Sequence, residues 1–276
     1  SEPCQHLPEP GYDLTVFIRV AFVVPMLLLN AACSDRLGVK IPFAAVFGDQ
    51  TVACDSVETA LTDLRFLISE VALLDQDGRQ GPIVLDDQYL WQQVDLALVD
   101  LENGSGACQN GTMEVYSYLV GSVPAGEYRG IAFTVGVPFA RNHANPLTAA
   151  APLDITAMHW HWRSGYKFLR AGIRTPTDSF WMHLGSAGCE GTTANVSSCR
   201  FPTRVTVELP DFVLRRDTIA VDLETLFAGV DFLDGEPGDC SSGPAETNCI
   251  APFLALGIDH ETGKTVGRQQ VFSLRQ

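Results

Sequence analysis

Charge is scarce in this 276-residue chain, and positive charge is scarcest: only 18% of residues are charged, with 18 Lys and Arg against 33 Asp and Glu. A net charge of −15 leaves no basic surface with which to neutralise phosphates, so nucleic acid is excluded as a partner. Helical periodicity is nearly absent; Leu223–Phe232 alone supports one or two turns. No Cys-x-x-Cys pair occurs, which argues against a zinc ribbon or a thioredoxin-type site. A nucleophile elbow, a phosphate-binding loop, a dinucleotide fingerprint and a His-Glu-x-x-His helix are all missing too. Internal repeats and low-complexity tracts are likewise absent. Apolar residues are nevertheless plentiful, at 46% with a mean hydropathy of +0.10. Bulk disorder is therefore excluded, and the chain is long enough to bury a full core.

The longest apolar run, Val20–Ala32, follows Arg19 and ends at Cys33. Thirteen residues are too few to span a bilayer but suit the core of an export signal, with small residues before the cut. Ala31-Ala32-Cys33 has the form of a lipoprotein cleavage site at which Cys33 is lipidated, although Asn30 stands where a larger apolar residue is usual. Residues 1–33 are accordingly read as upstream sequence plus signal, and 38–276 as one exported domain, membrane-anchored where Cys33 is lipidated.

Beyond the signal lie Cys54, Cys108, Cys189, Cys199, Cys240 and Cys249. An even number in an oxidising compartment points to three disulfides. Cys189/Cys199 and Cys240/Cys249 close short polar loops, which leaves Cys54/Cys108 as the long-range bridge. Short β-type runs dominate the same region: 41–47, 63–74, 94–101, 113–120, 128–137, 166–173, 180–184, 204–209, 219–223, 252–258 and 270–274. Turn pairs such as Asp77-Gly78 and Asn103-Gly104 separate them. This pattern predicts an all-β fold, a single antiparallel β-sandwich or open-barrel-like domain with long loops.

Histidine and tryptophan are concentrated in one stretch. Four of the five His beyond the signal (His143, His159, His161 and His183) and three of the four Trp (Trp160, Trp162 and Trp181) fall between 143 and 183. On a strand, Met158-His-Trp-His-Trp162 places two imidazoles on one face and two indoles on the other. Imidazole suits copper or zinc, although a wet His face opposite packed Trp explains the pattern equally well. Trp181-x-His183 likewise shares one strand face, and His260 lies in a turn.

Several motifs then occur in a specific order. They are Cys54, Gly106-Ala-Cys108, Gly130-Ile-Ala-Phe-Thr-Val-Gly-Val-Pro138, Asn142-His-Ala-Asn-Pro146, Met158-x-Trp-x-Trp-x-x-Gly-Tyr-Lys-Phe168, His183-Leu-Gly-Ser-x-Gly-Cys189 and Cys240-Ser-x-Gly243. Together they resemble the MbnP-like proteins, the four-Cys "metallo-mystery pair" family associated with methanobactin operons. The resemblance implies a periplasmic, non-enzymatic copper-binding β-protein. It also implies a di-haem partner of the MauG or cytochrome c peroxidase type (MbnH-like) that oxidises a Trp to kynurenine, with an outer-membrane receptor as a further partner. In copper-binding relatives, two His and the kynurenine amine hold Cu(I). Trp181 and His183 match that spacing here, with His260 as the first choice for the distant ligand and His143 as the second.

The competing reading is a lipoprotein interaction module in which these His are structural and no metal binds. An enzyme using the metal for hydrolysis or redox chemistry is disfavoured, because no acid/base pair accompanies the His. Export makes its own expectation: the mature N-terminus, mapped by mass spectrometry, falls at lipidated Cys33 or just after it. A terminus well upstream of Arg19 would return residues 1–33 to the folded protein.

Overall fold

The computed structural model describes residues 35–93, 95–193, 195–230 and 238–276. Cys33, the apolar run before it and the end of the expected 223–232 helix lie outside these residues. Strand outweighs helix, 45% to 9%. The strands of the first half are β1 (Arg36–Phe47), β2 (Gln50–Thr51), β3 (Ala60–Leu74), β4 (Gln80–Pro82), β5 (Val84–Leu85), β6 (Gln92–Gln93), β7 (Leu96–Asp100), β8 (Tyr118–Pro124) and β9 (Ile131–Val135). Those of the second half are β10 (His159–His161), β11 (Gly165–Arg174), β12 (Ser179–Gly185), β13 (Ala187–Thr192), β14 (Asn195–Phe201), β15 (Val205–Leu209), β16 (Thr218–Asp222), β17 (Gly238–Cys240) and β18 (Phe272–Arg275). Three short helices join them: α1 (Phe139–Asn142), α2 (Leu223–Leu226) and α3 (Ile250–Ala255).

Two sheets enclose one core. The smaller has the order β18-β16-β1-β8-β5, and the larger β15-β9-β3-β11-β12-β17, with the short strands on their flanks. Alternation builds each inner face: Val39, Ile41, Phe43 and Ala45 of β1 point in, as do Ile131, Phe133 and Val135 of β9. Phe43 and Phe272 from one sheet meet Phe66 and Phe133 from the other, edge to face, with centroids 5.6–6.0 Å apart. The expected all-β, disulfide-linked sandwich is therefore the fold. Within it two pairings, β1 with β16 and β12 with β17, are parallel, and the other ladders are antiparallel.

Two expected strands differ in detail. The apolar run 252–258 forms α3 and a turn: Pro252 occupies the first helical turn, where its missing N–H costs nothing. Phe253 and Leu256, one helical turn apart, reach the core, whereas Leu254 is exposed. In the 113–120 run the ladder begins only at Tyr118, with Met113 and Val115 exposed and Tyr116 forming an isolated bridge to Asp100. Of the expected helix at 223–232, α2 is one turn, capped by the Asp222 carboxylate.

The outer face of the larger sheet is only partly bare. Residues 139–158 cross it and bury a second apolar cluster of Leu67, Leu98, Leu153, Met158, Tyr166 and Phe168. Tyr166 pins this excursion: its hydroxyl donates to the Leu153 carbonyl at 2.5 Å, and its N–H donates to Asn142 Oδ1 at 3.0 Å. Gly165, at φ +76°, lets that segment close, since a Cβ there would collide with the Asn142 carbonyl.

The four-Phe contact is the sandwich's central packing unit, so Phe66→Ala should destabilise the domain by about 3–5 kcal/mol in chemical denaturation. A loss below ~1 kcal/mol would mean the two sheets are held together elsewhere.

Candidate metal centre

Strand β12 sets the site through its period of two. Phe180, Met182 and Leu184 are fully buried in the core, so Trp181 and His183 emerge together on the outer face. Their rings lie 4.6 Å apart between centroids, tilted by 46°. On the neighbouring strand, Arg170 stands opposite His183 and Gly172 opposite Trp181; one strand further, Arg65 and Asp63 continue the two rows. Gly172 leaves room beside the indole for the Thr62 hydroxyl, and a cleft of about 390 Å³ opens along these strands, walled by Thr62, Asp63, Arg170, Trp181 and His183.

The floor of this cleft is an ion network. Arg65 donates twice to Asp63, at 2.8 Å each, and Arg170 reaches the same carboxylate at 2.6 Å. Arg170 Nη1 and Lys167 Nζ both donate to the Ala157 carbonyl, at 3.0 and 3.1 Å, which ties the 139–158 excursion to β11. Burial and the neighbouring Arg170 lower Lys167 to about 8. Burial first, then the charges of Arg170 and Lys167, push His183 down to about 3. Neither ring nitrogen of His183 is hydrogen-bonded to a described residue. The site therefore presents a neutral imidazole with a free lone pair beside an indole.

The excursion adds a residue that sequence spacing did not place here. Trp160, on β10, lies edge-on to His183 at 6.2 Å, and its indole covers Gly185, where a Cβ would strike the ring. The structure thus sets both Trp181 and Trp160 against the His183 ring. The signal that could have flagged Trp160 is Gly185 itself, a small residue in a strand where a neighbouring ring approaches closely.

His260 lies nearby but does not touch the His183 ring. Ser242 Oγ donates to the His183 carbonyl at 2.8 Å, and the next residue's carbonyl, Gly243 O, accepts from His260 Nε2 at 3.1 Å. His260 also packs edge-on against Phe253, and its Nδ1 has no hydrogen-bond partner among the described residues. His143 is elsewhere: it lies against Trp162, Phe139 and the Cys189–Cys199 bridge, with no contact to Trp181 or His183. His159 leans on the Tyr166 ring, its Nε2 buried and unpaired among described residues, while His161 is exposed. Three disulfides, Cys54–Cys108, Cys189–Cys199 and Cys240–Cys249, pair as the loop lengths predicted. The last sits at the end of β17, against β12.

Fold and site together define a disulfide-linked β-sandwich that displays a paired Trp and His on an ordered sheet face. A family model described as MbnP matches residues 36–242, and the chain belongs to that family, as its motifs suggested. It is also similar to the solved structure of MbnP from Methylosinus trichosporium, with a TM-score of 0.75 and 26% identity, covering 87% of this chain and 98% of that one. No curated protein matches the chain.

The electrostatics make a prediction in solution. Since the folded value for His183 lies below the ordinary 6.5, the native state holds fewer protons than the unfolded chain between about pH 3 and 6.5. Stability from this group is complete above 6.5 and is lost as pH falls through that window. His183 resonances in NMR should thus show a neutral ring at pH 5, and the same ring should titrate near 6.5 in urea. Protonation of native His183 at pH 6 would refute the burial argument.

Proposed function

We propose that this is a non-enzymatic, exported copper-binding protein in which Trp181 is converted to kynurenine and then holds Cu(I) with His183 and His260. The observation that carries this reading is the Trp181–His183 pairing on one outward strand face. Membership of the MbnP family supports it. The oxidant is supplied by a di-haem enzyme of the MauG-like peroxidase type. Two equivalents of peroxide at that enzyme insert two oxygen atoms across the pyrrole C2–C3 bond and leave as two waters, and hydrolysis of the resulting formamide by a further water releases formate and leaves an aryl amine where the indole nitrogen had no available lone pair. An outer-membrane receptor is a further partner on this reading. The protein works in the periplasm, free or anchored through Cys33.

The residues present fit a soft, monovalent ion better than a divalent one. An aryl amine and two neutral imidazoles are uncharged ligands suited to Cu(I). Arg170 and Lys167 beside His183 penalise added positive charge, which Asp63 only partly offsets. The copper is cargo here, and the chain's role is to present neutral donors on a rigid strand and shield them with Trp160. His260 qualifies as the distant ligand because residues 242–243 link its ring to the His183 backbone and its Nδ1 has no hydrogen-bond partner among the described residues.

His183→Ala should weaken copper binding by on the order of 100-fold or more while circular dichroism and denaturation stay near wild type. Trp181→Phe should remove both the kynurenine mass signature and most of the affinity in protein co-produced with the di-haem partner. His260→Ala should weaken binding, and His143→Ala should leave the oxidised protein's copper site unchanged. Copper retained in full by His183→Ala would move the site to the His159/His161 strand.

A further inference from the structure

The hairpin of β13 and β14 stands apart from both sheets: among the described residues its two strands pair only with each other. Cys189 and Cys199 face one another directly in its register, with Cα atoms 3.8 Å apart. They form the one bridge of the three with a sulfur-bearing residue near solvent. Cys54, Cys108, Cys240 and Cys249 are all buried in the core, whereas Cys199 is half-buried on a strand whose neighbours are exposed. Thiol exchange requires a thiolate to reach a sulfur, so exposure decides which bridge reacts first. Opening this one frees a surface hairpin and breaks no sheet of the core.

A histidine waits beside it. His143 Nε2 lies 3.5 Å from Cys199 Sγ, and Nε2 and both sulfurs fall within 4.8 Å of one another. The His143 Nδ1–H donates to the Trp162 carbonyl at 3.0 Å, which fixes the tautomer and aims the Nε2 lone pair towards the bridge. A histidine metal ligand is commonly held this way, its second nitrogen bonded to a backbone carbonyl. Phe139 packs edge-on against the ring at 5.4 Å, and Asn142 Nδ2 lies 3.5 Å from Nε2, so the imidazole is held in place.

We propose that Cys189–Cys199 is a reducible bridge whose opening creates a second metal site, in which Cys189, Cys199 and His143 hold one Cu(I). The reductant is a dithiol. Its thiolate attacks the more accessible Cys199 sulfur and releases Cys189 as a thiolate, which takes up a proton. The second thiol of the reductant then displaces Cys199 and leaves as its own disulfide. Two electrons and two protons have entered the protein, and the Cys199 sulfur is freed beside His143 Nε2. Binding of Cu(I) expels both thiol protons, giving two thiolates and one imidazole about the ion. Soft thiolates select Cu(I), and three donors satisfy it, whereas zinc demands a fourth. The site does not depend on Trp181 or His183. It exists only under reducing conditions, so the two sites differ in when they can be filled.

The test uses the purified full chain, treated with one equivalent of dithiothreitol and desalted under argon. Peptide mapping after alkylation should find the first free thiols at Cys189 and Cys199. In competition with a chromophoric Cu(I) chelator, the reduced protein should then bind one copper more than the oxidised protein. X-ray absorption of the wild-type protein should show sulfur around that extra copper. This additional equivalent should vanish in the Cys189→Ser/Cys199→Ser protein, weaken about 10-fold or more in His143→Ala, and persist in His183→Ala. First reduction at another bridge, no extra copper, or an extra copper without sulfur scattering or indifferent to His143→Ala would each overturn the proposal. Failure of the Trp181 reading instead appears in the oxidised protein, as copper binding untouched by His183→Ala.

Discussion

The outward Trp181–His183 pair depends on the register of a single seven-residue strand. In β12, Phe180, Met182 and Leu184 fill the sandwich, and that burial forces Trp181 and His183 outward together. A slip of one residue would exchange the faces, placing an imidazole in the apolar core and three large apolar side chains in water. The neighbours resist such a slip from both sides. Antiparallel β11 pairs with β12 along most of its length, and parallel β17 pairs on the other edge, where Cys240–Cys249 holds it to the chain beyond. The outward pair is therefore preorganised by hydrophobic burial on the opposite face, with no loop required to close over it.

The electrostatics of the outer face run against the character of the whole protein. A chain with a net charge of −15 places Arg65, Arg170 and Lys167 around its candidate metal centre. Asp63 is the shared partner that lets Arg65 and Arg170 stand side by side in register. Deeper in, Glu102 approaches Arg65 at 3.6 Å, and burial followed by the charge of Glu102 raises Asp100 to about 8. At neutral pH one carboxyl of this group thus keeps its proton, and the balance near His183 stays positive. A neutral imidazole results, and added positive charge beside it is penalised. The distant acidic surface does not reverse this, because screening removes it within about 10 Å.

How much of this could be read from residues alone follows from the range of each signal. The Trp181–His183 pairing is a local consequence of period two, and it was legible. So were the disulfides, since Cys189/Cys199 and Cys240/Cys249 close loops of ten and nine residues. The partnership of Trp160 with His183 was not legible, because it depends on residues 139–158 crossing the larger sheet and on Arg170 and Lys167 anchoring Ala157. The parallel pairings were hidden for the same reason: they join segments far apart in sequence. The run at 252–258 failed for a different reason. A short apolar stretch fits either period, and only the packing of Phe253 and Leu256 against the core decides for helix.

The motifs that tie this chain to its family do structural work around the site more than chemistry within it. Buried Asn142 receives the Tyr166 N–H, Gly165 makes room for that contact, and Gly185 makes room for Trp160. Ser242 accepts from the Gly185 N–H and donates to the His183 carbonyl, joining the Cys240 motif to the His183 motif. His143, in the Asn142 motif, is held by the same frame yet points to the β13–β14 hairpin and away from Trp181. A frame shared by two separate His positions explains why spacing alone could not choose between His260 and His143. His260 is joined to β12 through Gly243 and His143 to β14 through a sulfur, so the two rings stand at different places on the fold.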